Sequence, residues 1–170
     1  MRPVRNFMSD PNHRHIEIIE DNEIPRLDIL FGFGPTVPFV VGAVVAWLSP
    51  QPSRLIALQL VALWGSAILL FLSGVRRGLS FRTEGGPTWP QMATMLALFC
   101  LGLGALVALM IDALLLALII LLASYVAVFV LDPIAARRGE APLYFARLRR
   151  LQIPIVLLAL AVSAVIAVRT

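Results

Sequence analysis

Hydrophobic residues in this chain do not alternate with polar ones at a helical or strand period. They come in unbroken blocks separated by short polar segments. Four blocks stand out, at about residues 33–48, 55–74, 92–131 and 152–168. An α-helix rising 1.5 Å per residue needs about 20 apolar residues to cross roughly 30 Å of bilayer hydrocarbon. Blocks of this kind predict spanning helices, because within lipid a single segment satisfies its backbone groups only as a helix.

The third block is too long for one crossing. As a continuous helix, residues 92–131 would run about 60 Å, twice the hydrocarbon thickness. A break at Gly102 or Gly104 would leave a first half too short to span, whereas a break at Met110–Asp112 gives two halves of about 19 residues each. Asp112 is the one charged residue in the block, and aspartate is a favoured N-cap for the helix that follows. The pattern predicts a helical hairpin with its tip at Asp112, and hence five spans: 33–48, 55–74, 92–110, 112–131 and 152–168. The fold class is all-α, a polytopic membrane protein built as a five-transmembrane-helix bundle. Residues 1–28 read as a polar cytosolic tail and 29–170 as the membrane domain.

The first span is the least regular. Pro35 and Pro38 follow Gly32 and Gly34, so the membrane helix is expected to start near Pro35, where proline suits a first turn. From there to Leu48 is only about 21 Å, and residues 25–33 are expected to complete the crossing.

Charge then orients the bundle. All 14 basic residues are arginine, and the net charge is +4. Five spans put the tail, the 75–91 loop and the 132–151 loop on one side, with four, three and five arginines, twelve of the fourteen. Only Arg54 and Arg169 fall on the other. The positive-inside rule places the N-terminus in the cytoplasm and the C-terminus outside. Trp47 at the outer boundary and Trp89 and Tyr144 at the inner one sit where aromatic belts form, while Trp64, near the middle of span two, reads as packing. The apolar fraction of 59% exceeds the roughly 45–50% of soluble domains. In such a chain the basic balance reports topology, not nucleic-acid binding.

Candidate chemistry is sparse. The spans offer no His, Glu, Lys or Arg well inside the hydrocarbon, and no Asp beyond the hairpin tip, which argues against a proton relay. His13 and His15, near Glu17 and Glu20 in the tail, match no closed metal site, and no cofactor is implied. Cys100, the single cysteine, reads as a small apolar residue. The most suggestive stretch is Ser73–Ser80. Gln59, Ala62, Ser66, Leu70, Ser73 and Arg77 form one stripe at helical spacing, and Gly74 and Gly78 make a small-xxx-small pair of the type that admits a neighbouring helix. Arg77 is expected to end the packed stripe and face the bundle, with Arg76 toward the headgroups. The segment 137–151, with Arg147, Arg149 and Arg150 beside Tyr144 and Phe145, is suited to contact with anionic lipid. Gly74, Arg76, Arg77, Gly78, Arg147, Arg149 and Arg150 are the candidate helix-packing or lipid-contact residues, with no catalytic or metal-ligating residue among them.

Gly32–Phe39, GFGPTVPF, and Gly65–Gly78, GSAILLFLSGVRRG, resemble a five-span membrane family of unknown function with proteobacterial members and a mitochondrial transmembrane protein. The resemblance covers roughly residues 25–168. Many members have His-Trp where this chain has Arg76-Arg77, a departure at the most distinctive point. What the resemblance implies is the five-span topology and a bacterial inner (cytoplasmic) membrane location, with no activity attached.

Three functional classes follow, in descending order. The first is an accessory, assembly or structural subunit of a membrane complex. The second is a small transporter or channel subunit acting as an oligomer, its lining drawn from Gln59, Ser66, Thr94, Ser124 and Tyr125. The third is an anionic-lipid-binding membrane protein. The expected partners are membrane lipids and other membrane proteins or further copies of the chain, not nucleic acid.

Overall fold

Prolines mark where the first three helices start, since a residue without an N–H is tolerated in a first turn whose donors have no partner anyway. In the computed structural model, Pro35 lies in a 3-10 turn (Gly34–Thr36) that leads into α1 (Val37–Leu48), with Pro38 in its first turn. α2 (Ser53–Ser80) follows Pro52, and α3 (Trp89–Met110) carries Pro90 in its first turn. α4 (Leu114–Arg137) and α5 (Leu143–Val168) complete the chain. The structure describes residues 32–81, 83, 86–137 and 143–169, without the side chains of 136, 137 and 143–147. The tail with His13 and His15, the segment 25–31 expected to lengthen span one, and the side chains of Tyr144, Phe145 and Arg147 lie outside the described residues.

No strand occurs among the described residues. Four helical stretches are long and apolar enough to cross a membrane: Ser53–Ser80, Trp89–Met110, Leu114–Ala135 and Leu148–Val168. The apolar helix Gly34–Leu48 is shorter, about 24 Å from end to end. Short connections make successive helices neighbours, and α1 also packs on α5, closing a ring in which α2 touches every other helix. Large apolar side chains cover the outside, among them Trp47, Leu60, Phe71, Leu116 and Leu158. That is the surface of a multi-pass membrane protein, whose exterior faces lipid.

Small residues let the helices close up. A Cβ on Gly42 would stand 2.3 Å from Val61 Cγ2, so α1 can meet α2 at this depth only through a glycine. In the centre, the Phe39 and Tyr125 rings meet edge to face at 5.6 Å, and Leu121 and Phe39 press on Gly65, where a Cβ would lie 3.0 and 3.2 Å from them. The Tyr125 hydroxyl donates to the Gly65 carbonyl at 3.1 Å. Trp64 packs and also bonds, its indole N–H reaching the Pro35 carbonyl at 2.9 Å.

The hairpin between α3 and α4 turns at Asp112, but not by the mechanism its sequence suggests. Asp112 has φ of 59°, its N–H bonds to Leu109 O at 3.2 Å, and Ala113 N–H bonds to Ala108 O at 2.9 Å. Those two bonds are a Schellman motif that ends α3, with Asp112 as its left-handed residue. It therefore closes the preceding helix, and Ala113, not Asp112, immediately precedes α4. Aspartate tolerates this conformation better than most residues because its short polar side chain fits there. Replacing Asp112 with glycine should leave stability unchanged or raise it slightly, whereas Asp112→Val should cost about 1–2 kcal/mol. Thermal unfolding of the two variants in detergent checks both.

Candidate functional site

Charged side chains inside a spanning helix are costly and stay only when they face the bundle and find partners. Asp132 is such a residue. It lies within the apolar stretch Leu114–Ala135 of α4 and is 8% exposed. Its Oδ1 accepts a hydrogen bond from Arg76 Nη2 of α2, and its Oδ2 lies 3.7 Å from Arg149 Nε of α5. Three helices far apart in sequence thus meet on one carboxylate. Asp132 lies one position beyond the expected end of span four at residue 131, so the expectation of no ionisable residue well inside the spans did not reach it, and it is nonetheless buried and paired.

Proline adjoins the cluster on both later helices. Pro133 follows Asp132 in α4, and Pro154 sits in α5 little more than one turn beyond Arg149. Each removes the donor that the carbonyl four residues earlier would use, so Phe129 and Arg150 lose their helical donor near the charges. α3 contributes the fourth wall. Its start is fixed by Gln91, whose Oε1 accepts from Thr88 N–H at 3.1 Å and whose Nε2 donates to Thr83 Oγ1 at 2.9 Å. Together these elements enclose a cleft of about 40 Å³, with Arg76, Asp132, Arg149, Ser80, Gln91 and Thr94 as its polar lining and Leu72, Leu98 and Val128 among its apolar walls.

The hydroxyls near this cleft are committed to backbone. Ser80 Oγ donates to Arg77 O at 2.7 Å, and Thr94 Oγ1 donates to Pro90 O at 2.9 Å. The same holds deeper in the bundle, where Ser66 bonds Ala62 O and Ser124 bonds Ile120 O. The residues considered as a channel lining are thus mostly turned to their own helices, with Tyr125 held by Gly65.

Arg76, expected toward the headgroups, turns inward instead, while Arg77 also packs within the chain. Arg76 enters the bundle and takes Asp132. Arg77 turns toward α3, with its Nη1 3.2 Å from Ser80 Oγ and 3.5 Å from Met92 Sδ, and its guanidinium stacks 4.1 Å above the Phe81 ring, a cation–π contact. The reason lies in the register. From Ser73, both the third and the fourth residue onward lie on the buried face, and the carboxylate on α4 decides between them. Gly74 and Gly78 are exposed, and among the described residues no side chain or neighbouring helix lies within 4 Å of where their Cβ atoms would be. Arg149 is built into the cleft, and Arg150 is exposed. Asp132, Gln91 and Gln152 are the residues that sequence reasoning missed. Gln152 is 4% exposed, and its Nε2 has no partner among the described residues. The spacing Thr88-x-x-Gln91 was the available signal for Gln91.

The sequence profile of one family spans residues 24–165, from just before α1 almost to the end of α5. The chain belongs to DUF3429, a family of proteins of unknown function. No curated protein and no solved structure matches it. Membership in this family covers the whole ring of helices and every residue of the cleft, but assigns the cleft no chemistry.

Removing one partner of a buried ion pair strands the other charge and typically costs about 3–5 kcal/mol. Asp132→Ala and Arg76→Ala should each destabilise the detergent-solubilised protein on that scale. Arg150→Ala, at an exposed position, should stay within about 0.5 kcal/mol of the parent. Melting curves of the three variants test the assignment.

Proposed function

We propose that the protein is a five-span membrane protein of the bacterial inner membrane that acts as an accessory, assembly or structural subunit of a larger membrane complex. The observation that carries this reading is how the polar groups of the bundle are used. Arg76, Asp132 and Arg149 engage one another across three helices, and the Ser and Thr hydroxyls donate to backbone carbonyls. Nucleophilic catalysis needs a hydroxyl or thiol set beside a base. Here Ser80 and Thr94 spend their protons on the backbone beside guanidinium groups, which cannot act as bases. The polar chemistry serves to hold the helices together. Transport of a polar solute by a single chain finds little support, since the polar cleft of about 40 Å³ has room for only about three waters and the larger groove between α1 and α5 is lined by apolar side chains.

The outward face supports the subunit reading. Gly74 and Gly78 stand open on α2, in the spacing that permits close helix contact in lipid. The topology rests on the twelve-to-two division of arginines and on α1 crossing as the shortest of five spans, with the N-terminus inside and the C-terminus outside.

Two experiments test these statements. Purification in mild detergent should yield a stoichiometric membrane-protein partner, and Gly74→Leu with Gly78→Leu should reduce its recovery severalfold without lowering the melting temperature. A chain recovered alone would count against the subunit role. In a Cys100→Ala background, Asp112→Cys should react with an impermeant maleimide from the periplasmic side; labelling confined to the cytoplasmic side would refute the topology.

A further inference from the structure

The two helices that close the ring do not fill the seam between them. α1 and α5 run in the same direction, with Gly32 against Leu148 and Gln152 near one end and Ala46 clustered with Ile166 near the other. Between them lies a groove of about 450 Å³, within the range of about 300–1,000 Å³ typical of small-molecule sites. Each helix lines it with four residues at i, i+3, i+4 and i+7, from Val40 to Trp47 on α1 and from Ile155 to Val162 on α5, the spacing of one helix face. The floor is small and buried, with Ala43 and Ala159 each 6% exposed. The rim is large, with Trp47 58% and Leu158 68% exposed.

The groove lies within the apolar stretch Leu148–Val168 of α5. An apolar void holds no water, and left empty it would forfeit dispersion contacts along both walls. Its shape suits a single hydrocarbon chain and not a helix. Close helix contact in lipid needs small residues where the partner comes nearest, whereas here the small residues lie at the bottom and the large ones on the rim. Charge stands at one end. Arg54 and Arg169, the two arginines that the sequence places opposite the other twelve, both lie beyond the end at which Ala46, Leu58 and Ile166 pack together. Arg54 precedes Leu58 by one turn of α2. Arg169 continues the stripe of Ile155, Leu158 and Val162 at helical spacing, its backbone N–H donating to Ile166 O at 3.0 Å. Arg54 Nε donates to Ser49 O at 3.2 Å, one of several N–H donors on its guanidinium. Both ion pairs among the described residues involve Asp132, so neither arginine has a carboxylate partner among them. Asp112, the carboxylate described at this end, is exposed on the α3–α4 hairpin.

We propose that the groove holds one acyl chain of an anionic glycerophospholipid, with the lipid phosphate at Arg54 and Arg169. Guanidinium groups present a fork of donors that matches phosphate oxygens. Trp47 stands at the same end of the groove, at the depth where amphipathic rings meet headgroups. The two arginines that depart from the positive-inside pattern thereby gain a use of their own, the choice of an anionic head over a neutral one. The inference is independent of the subunit reading. Only the leaflet, the outer one, rests on the topology proposed above, and the Asp112→Cys labelling tests that by itself.

The test uses the full chain in a neutral detergent, titrated with mixed micelles of phosphatidylglycerol or of phosphatidylcholine carrying the same acyl chains. Binding is read by native mass spectrometry and by the shift in melting temperature. Saturable binding of phosphatidylglycerol with a rise in melting temperature is expected, and phosphatidylcholine should bind about tenfold or more weakly. Arg54→Gln combined with Arg169→Gln should abolish that difference. Ala159→Leu fills the floor of the groove. It should lower retention of phosphatidylglycerol severalfold while the lipid-free melting temperature stays level or rises, because the added carbons enter an existing void. Should Ala159→Leu fail to fold, Val44→Phe on the exposed rim closes the groove in its place, with the same expected loss. Arg150→Gln, exposed at the opposite end of α5, should leave the binding of both lipids unchanged. The proposal is overturned by equal binding of the two lipids, by retention that survives filling of the groove, or by a loss with Arg150→Gln equal to that of the double variant. A groove-filling variant that changes the oligomeric mass instead of the bound lipid gives the groove to a second copy of the chain, and overturns it as well.

Discussion

The arrangement of this bundle depends on one requirement, that a carboxylate inside an apolar helix must be met by cations. Asp132 meets Arg76 from α2 and approaches Arg149 from α5, and these contacts set how α2, α4 and α5 stand to one another at that end. Dispersion contacts alone would not choose so sharply, because lipid tails are as apolar as the side chains they would replace. Apolar packing can slide by a fraction of a turn at small cost. A carboxylate displaced from its guanidinium cannot, because the low dielectric that strengthens the pair also penalises its separation.

In the centre of the bundle, small residues and aromatic rings take over that task. Gly42 and Gly65 allow backbones to approach, and Phe39 and Tyr125 fill the space thus opened, with the Tyr125 hydroxyl bonded to the Gly65 carbonyl. The hydroxyls of Ser66, Ser124 and Ser163 return to their own helices, which lets polar residues sit at helix contacts without needing a partner across them. Polar contacts between elements thus pin the bundle at the charge cluster, at Tyr125–Gly65 and at Trp64–Pro35, and shape packs the rest.

Much of the architecture was legible because the bilayer imposes a length on each element. The apolar blocks and the over-long third one gave the helices and placed the turn at Asp112, although the residue serves there as the end of α3 and not as the cap of α4. The site was far less legible. Asp132 lies one residue past an apolar block, and at that margin hydropathy cannot tell a buried charge from a solvated one. α4 is apolar nearly all round, so no face of it announces which side meets α2. The choice between Arg76 and Arg77 is likewise beyond a periodicity argument, since both fit the stripe through Ser73. Only the partner on another helix decides between them, and pairing across helices is information that a single sequence carries weakly.

The order of the three charges along the chain has a consequence for biosynthesis. Arg76 precedes Asp132 by 56 residues, and Arg149 comes last. During synthesis α2 enters the membrane first, with its arginine at the boundary, where a long side chain can snorkel to water at little cost. The shorter aspartate of α4 lacks that reach, but it arrives when its cation is already in place. The insertion-sensitive charge is therefore never the first to be committed to lipid. Arg149 then arrives with the final helix, so the ring of helices and the ion cluster are completed by the same segment.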